Sequence, residues 1–253
     1  MMKMSNFRWK VAWLIFIVSF VSYMDRVNLS VATPVIMKEY GFDKIDMGLI
    51  QSFFFAGYAL MQVPGGMMAE KFGHRITGSL AVIWWSVFTA LTAVAKGKFS
   101  FAAVRFLFGM GEGPIYPAFA IAIFRWFNKK EKGNASSFLL NGSFFGASNR
   151  AGFDCCIDVY SWLENGFLIF GIVGILMAWV WHKYVPENPA ESPYVNEAEL
   201  AHINEGRTDV PIVKKKLLRG VNYLLLYSFG LLVCSISSPI ILCSYFWHGC
   251  RFI

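Results

Sequence analysis

Residues 105–127 read RFLFGMGEGPIYPAFAIAIFRWF. The stretch is long and apolar enough to cross a bilayer, which takes about twenty residues. It nevertheless carries Arg105, Glu112, three glycines and two prolines. An arginine or aspartate at the centre of a span costs roughly 2.5 to 3.5 kcal/mol on insertion scales, so such a residue needs a partner or a water-filled cavity. At 100° per residue, Gly109, Glu112 and Tyr116 fall within about 40° of Arg105 and form with it a polar stripe. Gly109, Gly111 and Gly113 allow close approach of neighbouring backbone. Pro114 and Pro117 permit a bend that frees carbonyls toward a cavity.

The rest of the chain matches this membrane character. Its 253 residues are 56% hydrophobic and 17% aromatic, with mean hydropathy +0.48, well outside the composition of a soluble domain. Apolar runs predict spans at Val11 to Leu29, Gly48 to Met68, Thr77 to Ala95, Phe101 to Phe124 and Phe167 to Tyr184. Another begins near Asn134 and a seventh near Leu217. The first run could be read as a signal peptide, but it continues into Asp25-Arg26 without a small-x-small cleavage site, which favours an anchored span.

Lys3, Arg8 and Lys10, then Lys71 and Arg75, then Arg125, Lys129, Lys130 and Lys132 occupy alternate loops. The positive-inside rule makes those loops and the N-terminus cytoplasmic, in a multi-pass protein of the cell's inner (plasma) membrane. The polar, proline-containing stretch Val185 to Lys216 is the one obvious linker. A net charge of +7 could suggest nucleic acid, but these positive residues flank spans, where topology accounts for them. No nucleic-acid partner is expected.

The far end of the first span repeats the theme as YMDRVNLS, residues 23–30. Tyr23, Arg26 and Ser30 share a face, and Asp25 lies about 100° around the helix. Asp25 with Arg105, or Arg26 with Glu112, could be structural ion pairs between helices. The functional reading gives the residue types different jobs. A guanidinium keeps its proton and offers a planar fork matched to carboxylate, so Arg26 and Arg105 suit an anionic solute. Carboxyls in a bundle can cycle a proton, so Asp25 and Glu112 suit coupling. Tyr23 and Tyr58 could hydrogen-bond the solute or simply pack.

The turn after the second span, GMMAEKFGHR from Gly66 to Arg75, resembles the G-x-x-x-D-R-x-G-R-R motif of the major facilitator superfamily. Glu70, Lys71 and His74 are conservative departures from it. Gly66 would allow close helix packing, Gly73 a tight turn, and the charges with Arg75 a pairing network that shifts as bundles rock. Within that superfamily YMDRVNLSVATP, RFLFGMGEGPIYP, WFNKKEKGNA and ENPAESPYVNEAEL resemble the anion:cation symporter family, whose members include proton-coupled carriers of hexuronates, glucarate and galactonate. The resemblance implies that Arg26 and Arg105 contact the substrate carboxylate and that Asp25 and Glu112 exchange protons. It also implies that Tyr23 and Tyr58, with Asn141 and Ser143, line the cavity. The fold it implies is an all-α six-helix bundle over 1–184, a cytoplasmic loop over 185–216, and a partial or aberrant seventh span over 217–253.

Two stretches depart from that pattern. The span from Asn134 meets Ser148-Asn149-Arg150 and Asp154 after roughly 20 Å of helix, against about 30 Å required, and resemblance resumes at Phe167. It fails again after Lys216. All five cysteines, Cys155, Cys156, Cys234, Cys243 and Cys250, fall in these stretches and lack metal-ligand spacing. Reading-frame shifts would explain both, leaving a truncated, inactive half-carrier; a diverged loop with a disulfide is the rival. The nucleotide sequence decides between them, and an absence of any alternative frame restoring the pattern rules the shifts out. Partners are then an organic anion, protons and lipid, with no cofactor or metal. A non-transporting membrane scaffold remains the alternative. A two-carboxylate intramembrane protease is disfavoured because the flanking arginines hold both acids ionised, so no enzyme is expected.

Overall fold

The structure is a computed structural model that describes residues 4–148 and 159–205, with Val31 and residues 159–165 as backbone alone. The described residues form helices with no strand: α1 Phe7–Tyr40, α2 Lys44–Phe72, α3 His74–Thr92, α4 Lys98–Glu112, α5 Ile115–Trp126, α6 Lys132–Ser148, α7 Val159–Tyr184 and α8 Glu197–Asn204, with a 3-10 turn at Pro189–Glu191. Three stretches are long and apolar enough to cross a membrane by length and composition: Phe7–Tyr40, Lys98–Trp126 and Gly166–Tyr184.

Local chemistry sets the ends. α1 stops at Gly41, which adopts φ 67°, a left-handed conformation that costs glycine little. α2 starts with a capping box built from two aspartates: Asp43 accepts from the Asp46 amide at 2.7 Å, and Asp46 accepts from the Asp43 amide at 3.1 Å. Each carboxylate satisfies one of the amides left open at a helix start.

Several spans differ from their predicted limits. α1 runs to Tyr40 rather than ending near Leu29, carrying Pro34 inside it, because residues 31–37 remain largely apolar. The fourth span divides into α4 and α5 at Gly113 and Pro114, where two prolines withhold amides from the helix ladder. α7 begins at Val159, eight residues before the predicted Phe167. The expected seventh span near Leu217 and all five cysteines lie outside the described residues, as does the core of the aberrant stretch.

Taking α4 and α5 together as span four, the most intimate helix pairs are two with four, one with five, three with four and three with six. Exchanging spans one to three for four to six turns one with five into two with four and leaves three with six in place, as an internal three-helix repeat would. Each pairing brings backbone into close contact through a small residue, the usual device between helices in lipid. A Cβ on Gly57 of α2 would collide with the Phe106 carbonyl, and one on Gly109 of α4 with the Phe54 carbonyl. Gly142 and Gly146 of α6 stand against the Phe16 and Phe20 carbonyls of α1, and Gly78 of α3 against the Trp181 indole of α7. At the predicted packing position, Gly66, a Cβ would have only an ordinary contact of 3.8 Å with Pro117. Its neighbour Gly65 is the tight one, 2.6 Å from Pro114.

Two apolar clusters hold the bundle. One, nearer the chain's amino end, contains Trp85, Phe119, Trp126 and Trp181. The other contains Leu29, Ile36, Phe42, Ile50, Phe101 and Phe167. Asp25, Arg26 and Arg105 fall between them along the spans, at membrane depth. Outward faces are apolar, with Leu80, Ile83 and Val87 of α3 and Ile172, Leu176 and Trp179 of α7 exposed, as suits helices facing lipid.

Candidate functional site

Three of the four intramembrane charges are almost completely enclosed: Glu112 is 0% exposed, Asp25 2% and Arg105 3%. The fourth, Arg26, extends from α1 to α4, where its Nε lies 2.8 Å from Glu112 Oε1 and 2.9 Å from Oε2. Ser22, one turn earlier on α1, donates its hydroxyl to the same carboxylate. Of the two ion pairs open from sequence, this one is formed.

The Arg26 guanidinium is walled by aromatic rings, with centroids at 4.7 Å for Tyr23, 4.8 Å for Tyr58 and 5.4 Å for Phe54. Such faces attract a desolvated cation. One of its nitrogens, Nη2, is buried without a hydrogen-bond partner among the described residues. Arg105 packs its guanidinium over Phe108 at 5.1 Å and Phe167 at 6.0 Å, and its Nε is likewise buried and unpartnered. Among the described residues, neither Asp25 carboxyl oxygen has a partner in hydrogen-bonding geometry. Thr89 is an electrostatic neighbour of Asp25, but its hydroxyl donates to the Trp85 carbonyl at 3.0 Å. An unmet buried polar group costs about 1 to 3 kcal/mol, more when charged. Unmet donors on both arginines therefore form an environment that an anionic group would relieve.

Tyr116, beyond the helix break, meets the Ser143 hydroxyl of α6 at 3.0 Å, and Ser143 is itself buried. Asn141, on the same helix, is exposed and is not brought to the charged group. The structure thus gathers Asp25, Arg26, Tyr23, Tyr58, Arg105 and Glu112, with Tyr116 and Ser143 alongside.

The Gly66–Arg75 turn builds a second charged group. Gly73 closes α2 at φ 87°, with the Glu187 carboxylate against its backbone. The Arg75 amide donates to Glu187 Oε2 at 3.2 Å, and Arg75 Nε to the His182 carbonyl at 2.6 Å. Arg125 pairs with Glu187, and the fully buried His74 places Nε2 3.9 Å from it. Glu70 and Lys71 are exposed. Glu187, the hub, carried no assigned role in the sequence reading, although it opens the quoted ENPAESP segment.

A further group went unanticipated. Arg8 reaches Glu131 at 2.9 and 3.0 Å and Glu199 at 3.0 Å. Glu199, on α8, also accepts the Phe7 and Arg8 amides at 3.0 and 3.1 Å and the Ser5 hydroxyl. It caps the start of α1 from a distant helix. Burial pushes Glu199 upward, but the bonds from Ser5, the Arg8 and Phe7 amides and the Arg8 guanidinium outweigh it and hold its pKa below the usual 4.5. Glu131 is lowered the same way, burial being outweighed by Arg8 and His202. The signal available was Asn196-x-x-Glu199: Asn196 caps α8 by accepting the Glu199 amide at 3.0 Å, a spacing recognisable in sequence.

The model of the Major Facilitator Superfamily matches residues 15–248, a range that includes the first stretch departing from the expected pattern and most of the second. The chain belongs to the major facilitator superfamily. Among its relatives, the "Probable galactarate/D-glucarate transporter GudP" of Bacillus subtilis strain 168 is 34% identical over 81% of this chain and 46% of its own length. The D-galactonate transporter of Escherichia coli O6:H1 is 32% identical over 80% and 48%. The hexuronate transporter of Bacillus subtilis strain 168 is 32% identical over 72% and 43%. These agree with the anion:cation symporter resemblance within the superfamily. The chain spans about half the length of the curated relatives it matches.

Solved structures show the same major facilitator fold. A bacterial homologue of the human lysosomal transporter Spinster, inward-facing and unoccupied, superposes with TM-score 0.66 at 23% identity, covering 73% of this chain and 44% of that one. Its occupied form gives 0.62 at 21% identity, covering 74% and 46%. This major facilitator protein is a multi-pass, all-α membrane protein whose relatives carry organic anions.

Proposed function

We propose that the charged group at mid-bundle binds a sugar-acid carboxylate and couples its movement to protons, so that this unit is the first half of an alternating-access symporter. The observation that carries the reading is the pair of unmet, buried donors, Arg26 Nη2 and Arg105 Nε, beside two enclosed carboxyls. A carboxylate supplies the acceptors both arginines lack. Ionised Glu112 competes for Arg26. A proton on Glu112 weakens that pair and releases the guanidinium, so proton and anion favour one another's binding, and by linkage the effect is reciprocal. Asp25 and Glu112 are the proton-exchanging groups, with Tyr23, Tyr58 and Ser143 lining the path. The bundle, 1–184, lies in the inner membrane with its amino end and the 185–216 loop cytoplasmic, and a second bundle is required for it to rock against.

The test is equilibrium binding of D-glucarate, D-galactonate and D-glucuronate to the purified chain. Binding of at least one acid, absent for the matching neutral sugar and lost in Arg26→Ala and Arg105→Ala, supports the reading. Equal binding by either folded variant overturns it. The Arg26–Glu112 pair also favours a second reading, a membrane scaffold in which buried charge joins helices. There, Glu112→Gln lowers stability and assembly with no anion effect.

A further inference from the structure

A groove of about 450 Å³ lies between the amino-terminal end of α1 and the carboxy-terminal end of α7, bounded by Lys10, Trp13, Ile17, Val180, Tyr184 and Tyr194. It has no part in the charged site. Its floor at one end is aromatic: Phe7 stacks on Tyr194 at 5.1 Å, and Tyr184 lies 6.0 Å from Tyr194. From that end the groove follows α1 from Lys10 to Ile17, two turns or about 10 Å of helix, between apolar side chains. Trp13 and Ile17 are half exposed, as are Ile172, Leu176 and Trp179 on the outward side of α7, so the groove opens on lipid-facing surface.

Charge selects the occupant. Lys10 Nζ lies 5.6 Å from the Phe7 ring, and Lys183 Nζ lies 4.9 Å from Trp179 and 5.5 Å from Tyr184. Among the described residues no carboxylate comes within ion-pair distance of either lysine, whereas Lys98 and Lys130 each have one. Both lysines sit at ends of apolar spans beside Trp and Tyr, the depth at which headgroups lie. Lys10 lines the crevice, and Lys183 follows the lining residue Val180 by less than one turn of α7; unneutralised basic side chains on and beside an apolar crevice between spans match an anionic headgroup joined to acyl chains.

We propose that this groove binds one anionic phospholipid, its phosphate at Lys10 and Lys183 and an acyl chain along Trp13, Ile17 and Val180. The assignment rests on the membrane placement of α1 and α7 and is independent of what the charged site carries.

The experiment is native mass spectrometry of the full chain in detergent with phosphatidylglycerol or phosphatidylcholine of identical acyl chains. Phosphatidylglycerol should be retained in preference, and Lys10→Gln or Lys183→Gln should each lower the preference about fivefold. Lys44→Gln, on a remote turn, should leave it unchanged. Val180→Trp, which fills the groove, should lose the retained lipid. Acyl-brominated phosphatidylglycerol should quench a fluorescence component that Trp13→Phe removes. Equal retention of the two lipids overturns the proposal, as does a preference that survives in the exposed, fold-neutral Lys10→Gln/Lys183→Gln double variant. Quenching unaltered by Trp13→Phe also overturns it, since a protein segment would then occupy the groove.

Discussion

Arg26 and Glu112 form a two-pronged contact from α1 to α4, with Nε 2.8 and 2.9 Å from the two carboxylate oxygens and the acid wholly enclosed. Desolvating two charges offsets much of their attraction, so such a pair is weak evidence of a purely stabilising role. Its chemistry suits the proposed coupling, because neutralising the acid removes one partner of Arg26. The predicted consequence is that Glu112→Gln, which takes away the competing carboxylate, binds D-glucarate more tightly than wild type in equilibrium binding at a single pH. Unchanged or weaker binding by the folded variant contradicts the coupling.

Arg105 makes its contacts through ring faces at 5.1 and 6.0 Å, and a lysine ammonium can reproduce neither the stacking nor the planar fork. Arg105→Lys should lower anion affinity about tenfold or more, the loss of one charge-assisted hydrogen bond at roughly 1.5 to 3 kcal/mol. Its melting temperature should change little. Calorimetry with the same ligand, beside a thermal melt, separates the two effects.

Glu199 ties three segments together, so its removal should loosen the region around the start of α1. Breaking a buried pair costs about 3 to 5 kcal/mol, and Glu199→Gln, which keeps some acceptor capacity, should fall at or below that. The pH dependence has a definite sign. Because the folded pKa is lowered, the carboxylate's contribution is complete above the unfolded value of about 4.3 and is lost as pH falls through the folded value. The melting-temperature gap between wild type and Glu199→Gln should be constant from pH 7.5 to about 5.5 and close below about pH 4.5. A gap that widens on acidification contradicts the assignment.

The membrane character, helices over the six predicted stretches and the gathering of Arg26, Glu112 and Arg105 were legible in sequence because each leaves a one-dimensional mark: apolar length, or charge where charge is costly. Helical periodicity then placed Arg105 and Glu112 on one side of span four. Contacts joining residues far apart in the chain leave no such mark. Nothing along the chain announces that Glu187 serves Arg75 and Arg125, or that Glu199 caps a helix beginning nearly two hundred residues earlier. Asn141 failed to join the site for a related reason. It lies two residues from Ser143, about 200° around the helix, so the two cannot face the same cavity.

The glycines give the sharpest contrast between motif and packing. Gly66 heads the superfamily motif, yet a methyl group there would meet nothing nearer than 3.8 Å, whereas at Gly57 it would strike the Phe106 carbonyl. A backbone atom held in a neighbouring helix yields little, so Gly57→Ala should separate α2 from α4 and lower stability by about 1 to 3 kcal/mol or more. Gly66→Ala should be neutral or stabilising by about 0.5 to 1 kcal/mol, since alanine favours a helix interior. Parallel thermal melts of the two variants in one detergent provide the comparison. Because Gly57 and Gly109 clasp α2 and α4 reciprocally on the stretch of α4 between Arg105 and Glu112, Gly57→Ala should also weaken anion binding without touching a charged group. A Gly57→Ala protein as stable as wild type, or a Gly66→Ala protein less stable than it, would show that the motif position bears the helix contact after all.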